Sequence, residues 1–214
     1  MGGGLMSTTM EILVLWRKEG APTLAGIKTG NLFSCCYAGW EALRQDLRRL
    51  NRSLTPKGVR ILPLGYGVEE KRVLLYVYRP DRLRKDLLDQ RVDALLQACG
   101  YSCRHLGRFL VQLMHRLRNG GDFPHEIGLF LSYPSEDVFG FIRYPGEQYK
   151  CLGCWKVYGD EITARQTFAR YRKCTEPHCH CWTKGRSVYS FTIAERPAAP
   201  EQTVEPDCYG RTRR

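Results

Sequence analysis

The stretch that most limits how this chain can fold is Pro124–Ile142, PHEIGLFLSYPSEDVFGFI. It is the least polar uninterrupted run of the 214 residues, and turn-formers bracket it, Gly120-Gly121 before and Pro145-Gly146 behind. From Ile127 to Leu131 there is almost no side-chain polar atom, the pattern of a strand covered on both faces. Tyr133-Pro134 stops such a strand. Ser135, followed by Glu136 and Asp137, reads as a helix N-cap with two acids in the first turn. The expectation is a central strand over 125–133, with the other elements gathered around it.

Those other elements follow from periodicity. Glu11–Lys18 has the make-up of a short helix, and residues 1–8 are glycine-rich and mobile in this reading. Leu32–Tyr37 is a strand candidate. Trp40, Leu43, Leu47 and Leu50 recur at helical spacing, with Arg44, Arg48, Arg49 and Arg52 on other faces. Val59–Leu64 and Arg72–Tyr78 read as strands joined by a hairpin-like connection through Gly65–Glu70. Helices are expected from Asp81 to Gly100 and from Ser102 to Asn119, then a strand over Cys151–Tyr158 and a helix capped by Asp160 and ending at Lys173. Ser187–Ala194 is a candidate final element. From Glu195 onward proline and charge dominate, which predicts disorder. The fold class is α/β, one domain over 9–194, with a mixed, mostly buried sheet and helices packed on it.

Composition limits location and partners. No window reaches the ~18 to 20 apolar residues a membrane span needs, and Ile12–Trp16 lacks the flanks of a secretory signal. Ten cysteines without an export signal point to a reducing cytoplasm, where thiols pack in the core, bind metal or do redox work. The net charge is +11 and uneven: residues 40–91 carry 13 basic against 7 acidic groups, and 143–214 carry 13 against 8. Such a surface suits an acidic protein or nucleic acid, although no nucleic-acid-binding fingerprint appears. A solvated, solubilising face is the plain alternative.

Three constellations are candidates for chemistry. The densest is Cys151-x2-Cys154, then Cys174, His178, Cys179, His180 and Cys181. Zinc or iron takes four thiolate or imidazole ligands delivered from two places in the chain, so at most four of these seven would bind. A strand running out over 154–158 and a helix returning over 161–173 would bring the two groups together. The second constellation is His125 beside Glu126, an imidazole and a carboxylate able to move protons. Adjacent residues on a strand point to opposite faces, however, which works against their sharing one substrate atom. The third is Lys28 in Gly26-Ile27-Lys28-Thr29-Gly30, with Cys35-Cys36 downstream. No glycine directly precedes Lys28, so the string fails as a P-loop. A lysine in such a turn can still meet an anionic cofactor such as a flavin phosphate, and Cys35 can serve as a thiol. Gly128 inside a buried strand marks close approach of another backbone or a ligand.

The strings PHEIGLFLSYPSEDVFGFI and CWKVYGDEITARQTFARY, with APTLAGIKTGNLFSC near the start, resemble an uncharacterised bacterial family, the domain of unknown function numbered 3793. The likeness runs in order over roughly residues 8–194. It implies no activity. It does imply a setting beside flavodoxin and iron-uptake functions, in which a basic chain would meet an acidic electron carrier such as a flavodoxin. The His178-Cys179-His180-Cys181 string departs from the family's pattern, so a metal site built on it would be particular to this chain or its near relatives. The favoured functional reading is a non-catalytic accessory or binding protein acting with a redox or metal-handling partner. An enzyme with a pocket near Lys28, Cys35, His125 and Glu126 is the alternative, and a nucleic-acid binder the third.

Overall fold

A computed structural model of the chain describes residues 20–67, 71–101, 105–118, 123–183, 189 and 192–195, with no side chains described over 66–67 and 177–183. The expected helix at 11–18, the caps at Ser102 and Asn119, and half of the element expected over 187–194 lie outside the described residues.

The described chain opens with a single helical turn, α1 (Ala21–Leu24), and enters strand β1 (Gly30–Cys36). Helix α2 (Trp40–Leu54) buries Leu43, Leu47 and Leu54 and leaves its arginines in solvent. Each buried leucine contributes about 1.5–3 kcal/mol, against about 0.2–0.5 kcal/mol for an exposed pair such as Arg44–Glu41, so the apolar stripe decides the helix. A 3-10 turn at Thr55–Lys57 ends on Gly58, whose φ of +74° lies in the left-handed region that glycine adopts without strain. Strands β2 (Arg60–Gly67) and β3 (Arg72–Tyr78) follow as the expected antiparallel pair. Pro63, which has no amide to give a ladder, sits on β2 at the sheet edge, beside an irregularity between Pro63 and Gly65.

The sheet order is β1-β3-β2 and both pairings are antiparallel. Its central strand, β3, is covered on both sides. Val73, Leu75 and Val77 face α2 in one cluster with Phe33, Cys35 and Leu43, whereas Tyr76 and Tyr78 face the second cluster. Helices α3 (Pro80–Leu87), α4 (Gln90–Ala98) and α5 (Leu106–Arg118) build that second layer. The helix expected from Asp81 to Gly100 is divided in two, because the Asp89 carboxylate accepts from the amides of Arg91 and Val92 (2.9 and 3.4 Å) and starts a new helix there.

The expected central strand is absent. Ile127–Phe130 forms a single helical turn, α6, and Leu131 closes it. All five residues from Ile127 to Leu131 are buried, so the burial inferred from their composition holds while the conformation does not. A short apolar run enclosed on every side carries no periodicity to separate strand from helix. Here the geometry is decided from outside. Tyr76 donates its hydroxyl to the Phe130 carbonyl at 2.5 Å, and a Cβ on Gly128 would stand 2.8 Å from Val138 Cγ2. Ser132, at φ +61°, turns the chain out of the helix.

Helix α7 (Ser135–Arg143) follows with Glu136 and Asp137 in its first turn, but Pro134 holds the cap position and Ser135 makes no capping bond. The segment expected as one strand, Cys151–Tyr158, is a small hairpin of β4 (Cys151–Leu152) and β5 (Lys156–Val157). Asp160 caps the last helix, accepting from the amides of Ile162 and Thr163 at 2.9 and 3.3 Å. That helix, α8, runs Glu161–Thr183 and does not stop at Lys173. With the hairpin it forms a third apolar cluster of Trp155, Val157, Ala164, Phe168 and Tyr171, which meets the main body at Ile27 and Tyr133.

The α/β reading with helices on a buried sheet stands, and its centre moves from residues 125–133 to β3. Glu195, placed at the start of a disordered tail by its composition, is ordered instead. It pairs with Arg79 and Arg82, while fully buried Arg79 donates to the carbonyls of Thr23, Leu24 and Ile193 (2.7, 2.7 and 2.8 Å). Among the described residues no helix is long and apolar enough to cross a membrane.

Candidate functional site

The cleft between the main body and the hairpin–α8 annex holds two cavities, of about 420 and 620 Å3, which share Leu32, Leu131, Tyr133 and Cys154 as lining. One local feature hangs the hairpin over this cleft. The Asp137 carboxylate, buried on α7, accepts from Trp155 Nε1 (2.6 Å) and from the amides of Tyr158 and Gly159 (both 2.7 Å). Three donors converging on one carboxylate make a charge-assisted clamp. Gly140 admits the close approach, because a Cβ there would lie 2.4 Å from Tyr158 Cγ.

The smaller chamber is apolar and aromatic. Trp155 stacks on Tyr133 (centroids 4.7 Å apart, planes 27° apart) and meets Phe168 edge-on at 4.6 Å. Leu131, Val138, Phe123, His125 and Phe141 also line it, and Lys156 is a cation in that lining. His125 lies edge-on to Phe141 at 4.8 Å. Offset and edge contacts of this kind fix ring planes relative to one another, so the chamber presents flat walls.

The larger chamber is basic. Lys28 reaches it from the turn after α1, where Gly26 (φ +72°) reverses the chain and the amides of Ile27 and Lys28 both donate to Pro22 O (2.9 and 3.1 Å). The next residue locks the turn: the Thr29 amide donates to Ser132 Oγ (2.9 Å) and its hydroxyl to Asp86 Oδ2 (2.5 Å). Burial pushes the Asp86 carboxyl up, against the pull of those hydroxyls. Lys28, only 6% exposed, donates to Asn31 Oδ1 at 2.8 Å and lies 5.5 Å from the Tyr133 ring and 5.8 Å from the Tyr171 ring. That bond fixes the Asn31 amide, and Asn31 Nδ2, buried, has no acceptor among the described residues. An unsatisfied buried donor costs about 1–3 kcal/mol.

Helix α8 supplies the opposite wall with Arg165, Phe168, Arg172 and Thr175, at helical spacing along one face. Arg165 is held by Glu161 at 2.6 Å, whereas Arg172 forms no ion pair among the described residues. Among the described residues no aspartate or glutamate lines this chamber. Burial raises the Cys154 thiol, with Lys28 and Arg172 drawing it back down. The Tyr171 phenol is pushed up to about 12, chiefly by burial.

The residues singled out from sequence are therefore divided. Lys28 and His125 line adjoining chambers, and Cys154 lines both. Glu126 points elsewhere: its buried carboxylate takes Arg116 Nε at 2.8 Å and the Tyr101 hydroxyl at 3.1 Å. Cys35 is fully buried against α2 in the cluster on the far face of the sheet. Of the metal candidates, Cys151 packs in the annex cluster with Trp155, and Cys174 is half-buried on α8. His178, Cys179, His180 and Cys181 continue the same helix, and their side chains lie outside the described residues. Among the described residues no three histidine, cysteine, aspartate or glutamate groups gather where a metal ion could sit. Asn31, Tyr133, Trp155 and Arg172 were not singled out. The Arg165–Phe168–Arg172–Thr175 spacing was a legible signal for one wall; nothing local marked the others.

The family model for proteins of unknown function DUF3793 matches residues 17–192. The chain belongs to that family. The match spans β1 to β3, the α6–α7 centre and the whole annex, so both walls of the cleft lie within the family's domain. No curated protein and no solved structure matches the chain.

Proposed function

We propose that this DUF3793 protein is a binding protein that holds a small, flat organic molecule in the aromatic chamber and works as an accessory to another protein. The observation that carries this reading is the chamber itself: about 420 Å3, with Trp155, Tyr133, Phe141, His125, Leu131 and Val138 in its lining. That volume and composition suit a bicyclic aromatic body. A binding role is favoured over catalysis because the candidate groups face different surroundings. His125 stands against Phe141, Glu126 is tied to Arg116, and Cys35 lies on the other side of the sheet.

The test is a titration with 2-naphthol, followed through tryptophan emission, since Trp155 forms one wall. Saturable quenching that is lost in Phe141→Asp at unchanged melting temperature supports the reading. Quenching that is linear and equal in both proteins refutes it.

The partner proposed is an acidic electron carrier such as a flavodoxin, met in the cytoplasm. What supports it is the exposed Arg44, Arg48, Arg49 and Arg52 of α2, a positive surface able to steer an acidic protein. Association should weaken steeply between low and physiological salt and be lost in Arg48→Glu/Arg52→Glu. Salt-independent retention on a flavodoxin column, or none at any salt, would remove that partner.

A further inference from the structure

We infer that the basic chamber is a subsite for a phosphate monoester, so that the ligand of the cleft is an aryl phosphate with its ring in the aromatic chamber. This rests on the reading above and names the chemistry of the other end of the same ligand. Three observations carry it. First, the two chambers adjoin, with Leu32, Leu131, Tyr133 and Cys154 lining both, so a ligand that has its ring in one stands next to the cations of the other. Second, the lining of the larger chamber holds Lys28, Arg165 and Arg172 and, among the described residues, no acidic side chain. Third, Asn31, 7% exposed and part of that lining, carries a buried amide Nδ2 with no acceptor among the described residues.

The third point is independent of the charge. Because Lys28 already donates to Asn31 Oδ1 at 2.8 Å, the amide cannot turn over without losing that bond, and its nitrogen remains a donor seeking oxygen. The set therefore consists of donors: an ammonium held over two tyrosine rings, a guanidinium on α8, and a neutral N–H. A phosphate monoester carries about −1.5 to −2 charge at pH 7 and three acceptor oxygens. It matches two cations and one extra donor better than a carboxylate, which brings a single charge and two oxygens. Guanidinium also pairs with phosphate in bidentate geometry, which gives Arg172 a positional role. Arg165, shared with Glu161, closes the rim.

The experiment is calorimetric titration of the full chain at low salt with 2-naphthyl phosphate, 2-naphthoate and 2-naphthol. The phosphate is expected to bind at least tenfold more tightly than the naphthol, and more tightly than the naphthoate. Lys28→Met and Arg172→Gln should each weaken the phosphate by about five- to fiftyfold, from the loss of one charge-assisted contact, and leave the naphthol unchanged. Inorganic phosphate should compete with the phosphate ester and not with the naphthol. If naphthol binds but phosphate adds nothing, or the two variants leave the phosphate untouched, the head-group assignment is overturned and the aromatic chamber keeps its role. If none of the three binds, the reading of the aromatic chamber falls, and the inference with it. Should Lys28→Met unfold the chain, Arg172→Gln, at an exposed helix position, still decides the matter.

Discussion

The hydroxyl of Tyr76 ties the central strand of the sheet to the turn at the middle of the molecule, and removing it tests the whole account of the fold. Tyr76 is fully buried on β3 and stacks on Tyr78 with centroids 4.7 Å apart and planes 4° apart. Its hydroxyl donates to the Phe130 carbonyl at 2.5 Å. Burial holds the phenol well above its ordinary pKa, so it remains a donor across the usable pH range. Tyr76→Phe keeps the ring and the stacking and deletes only the donor, leaving a buried carbonyl oxygen without it. Such a loss costs about 1–3 kcal/mol. Taking about 2 kcal/mol, a chain of this size should melt roughly 4–8 °C lower. Tyr101→Phe is the control. Its hydroxyl donates to Glu126 at 3.1 Å, but that carboxylate keeps Arg116 at 2.8 Å, so the cost should be nearer 1 kcal/mol. Gly30→Ala should be worse than either, since a Cβ there would stand 2.6 Å from the Tyr76 hydroxyl and 2.7 Å from Phe130 O. Differential scanning fluorimetry on the three variants is sufficient. A Tyr76→Phe protein melting within 1 °C of the parent, or a harmless Gly30→Ala, would show that α6 is not anchored by β3.

Three further outcomes follow from the same geometry. Asp137→Ala strands three donors that converge on one carboxylate and should cost about 3–5 kcal/mol, with red-shifted Trp155 emission as the hairpin lifts from α7; an unshifted spectrum would contradict the clamp. Arg79→Lys replaces a fork that reaches four backbone carbonyls and should cost about 3 kcal/mol, whereas Glu195→Gln, at the rim of the same contact, should cost under about 1 kcal/mol; equal losses would mean that the ion pair and not the carbonyl cradle holds the segment. Asp86 has a folded pKa raised by burial, so the folded state holds its proton more tightly than the unfolded one, and this group's contribution to stability falls as pH rises from the ordinary carboxylate value through the raised one. Asp86→Asn should therefore gain on the parent as pH rises through that window; parallel melting curves at pH 4 and pH 7 would refute it.

What the sequence disclosed and what it hid differ in kind. The arginine helix α2, the β2–β3 hairpin and the Asp160 cap were legible because each rests on contacts a few residues apart: a leucine stripe, turn glycines, a side chain capping its own amides. The Ile127–Leu131 turn was not. Its burial shows in its composition, but its conformation is set by Tyr76, Val138 and a left-handed Ser132, none of which marks a five-residue apolar run as helical. The site divides the same way. Lys28 and His125 could be picked out as polar groups in apolar or glycine-rich settings. Cys35 and Glu126 looked equivalent in sequence, yet the pleat of β1 turns one under α2, and Arg116 draws the other away from the cleft. Asn31 gave no sign, because an unsatisfied amide exists only once the surrounding chain has excluded water from it.

The fold centre and the candidate site turn out to be one construction. Ser132 turns the chain out of α6 and receives the Thr29 amide, which fixes the turn that carries Lys28. Tyr133, the next residue, returns its amide to Gly128 O at 2.9 Å and lays its ring on Trp155. Three consecutive residues, Leu131 to Tyr133, thus end the buried turn, hold the lysine loop and form the wall common to both chambers. A substitution that loosens α6 should disturb the cleft before it unfolds the sheet, since β1, β2 and β3 pair through their own ladder, while Tyr133 and Asp137, two of the annex's attachments to the body beside Ile27 and the α1–α8 contact, follow directly on α6. The same dependence explains how a stretch with no reactive group of its own can be the most constraining part of the sequence: it sets the place and the shape of the cleft.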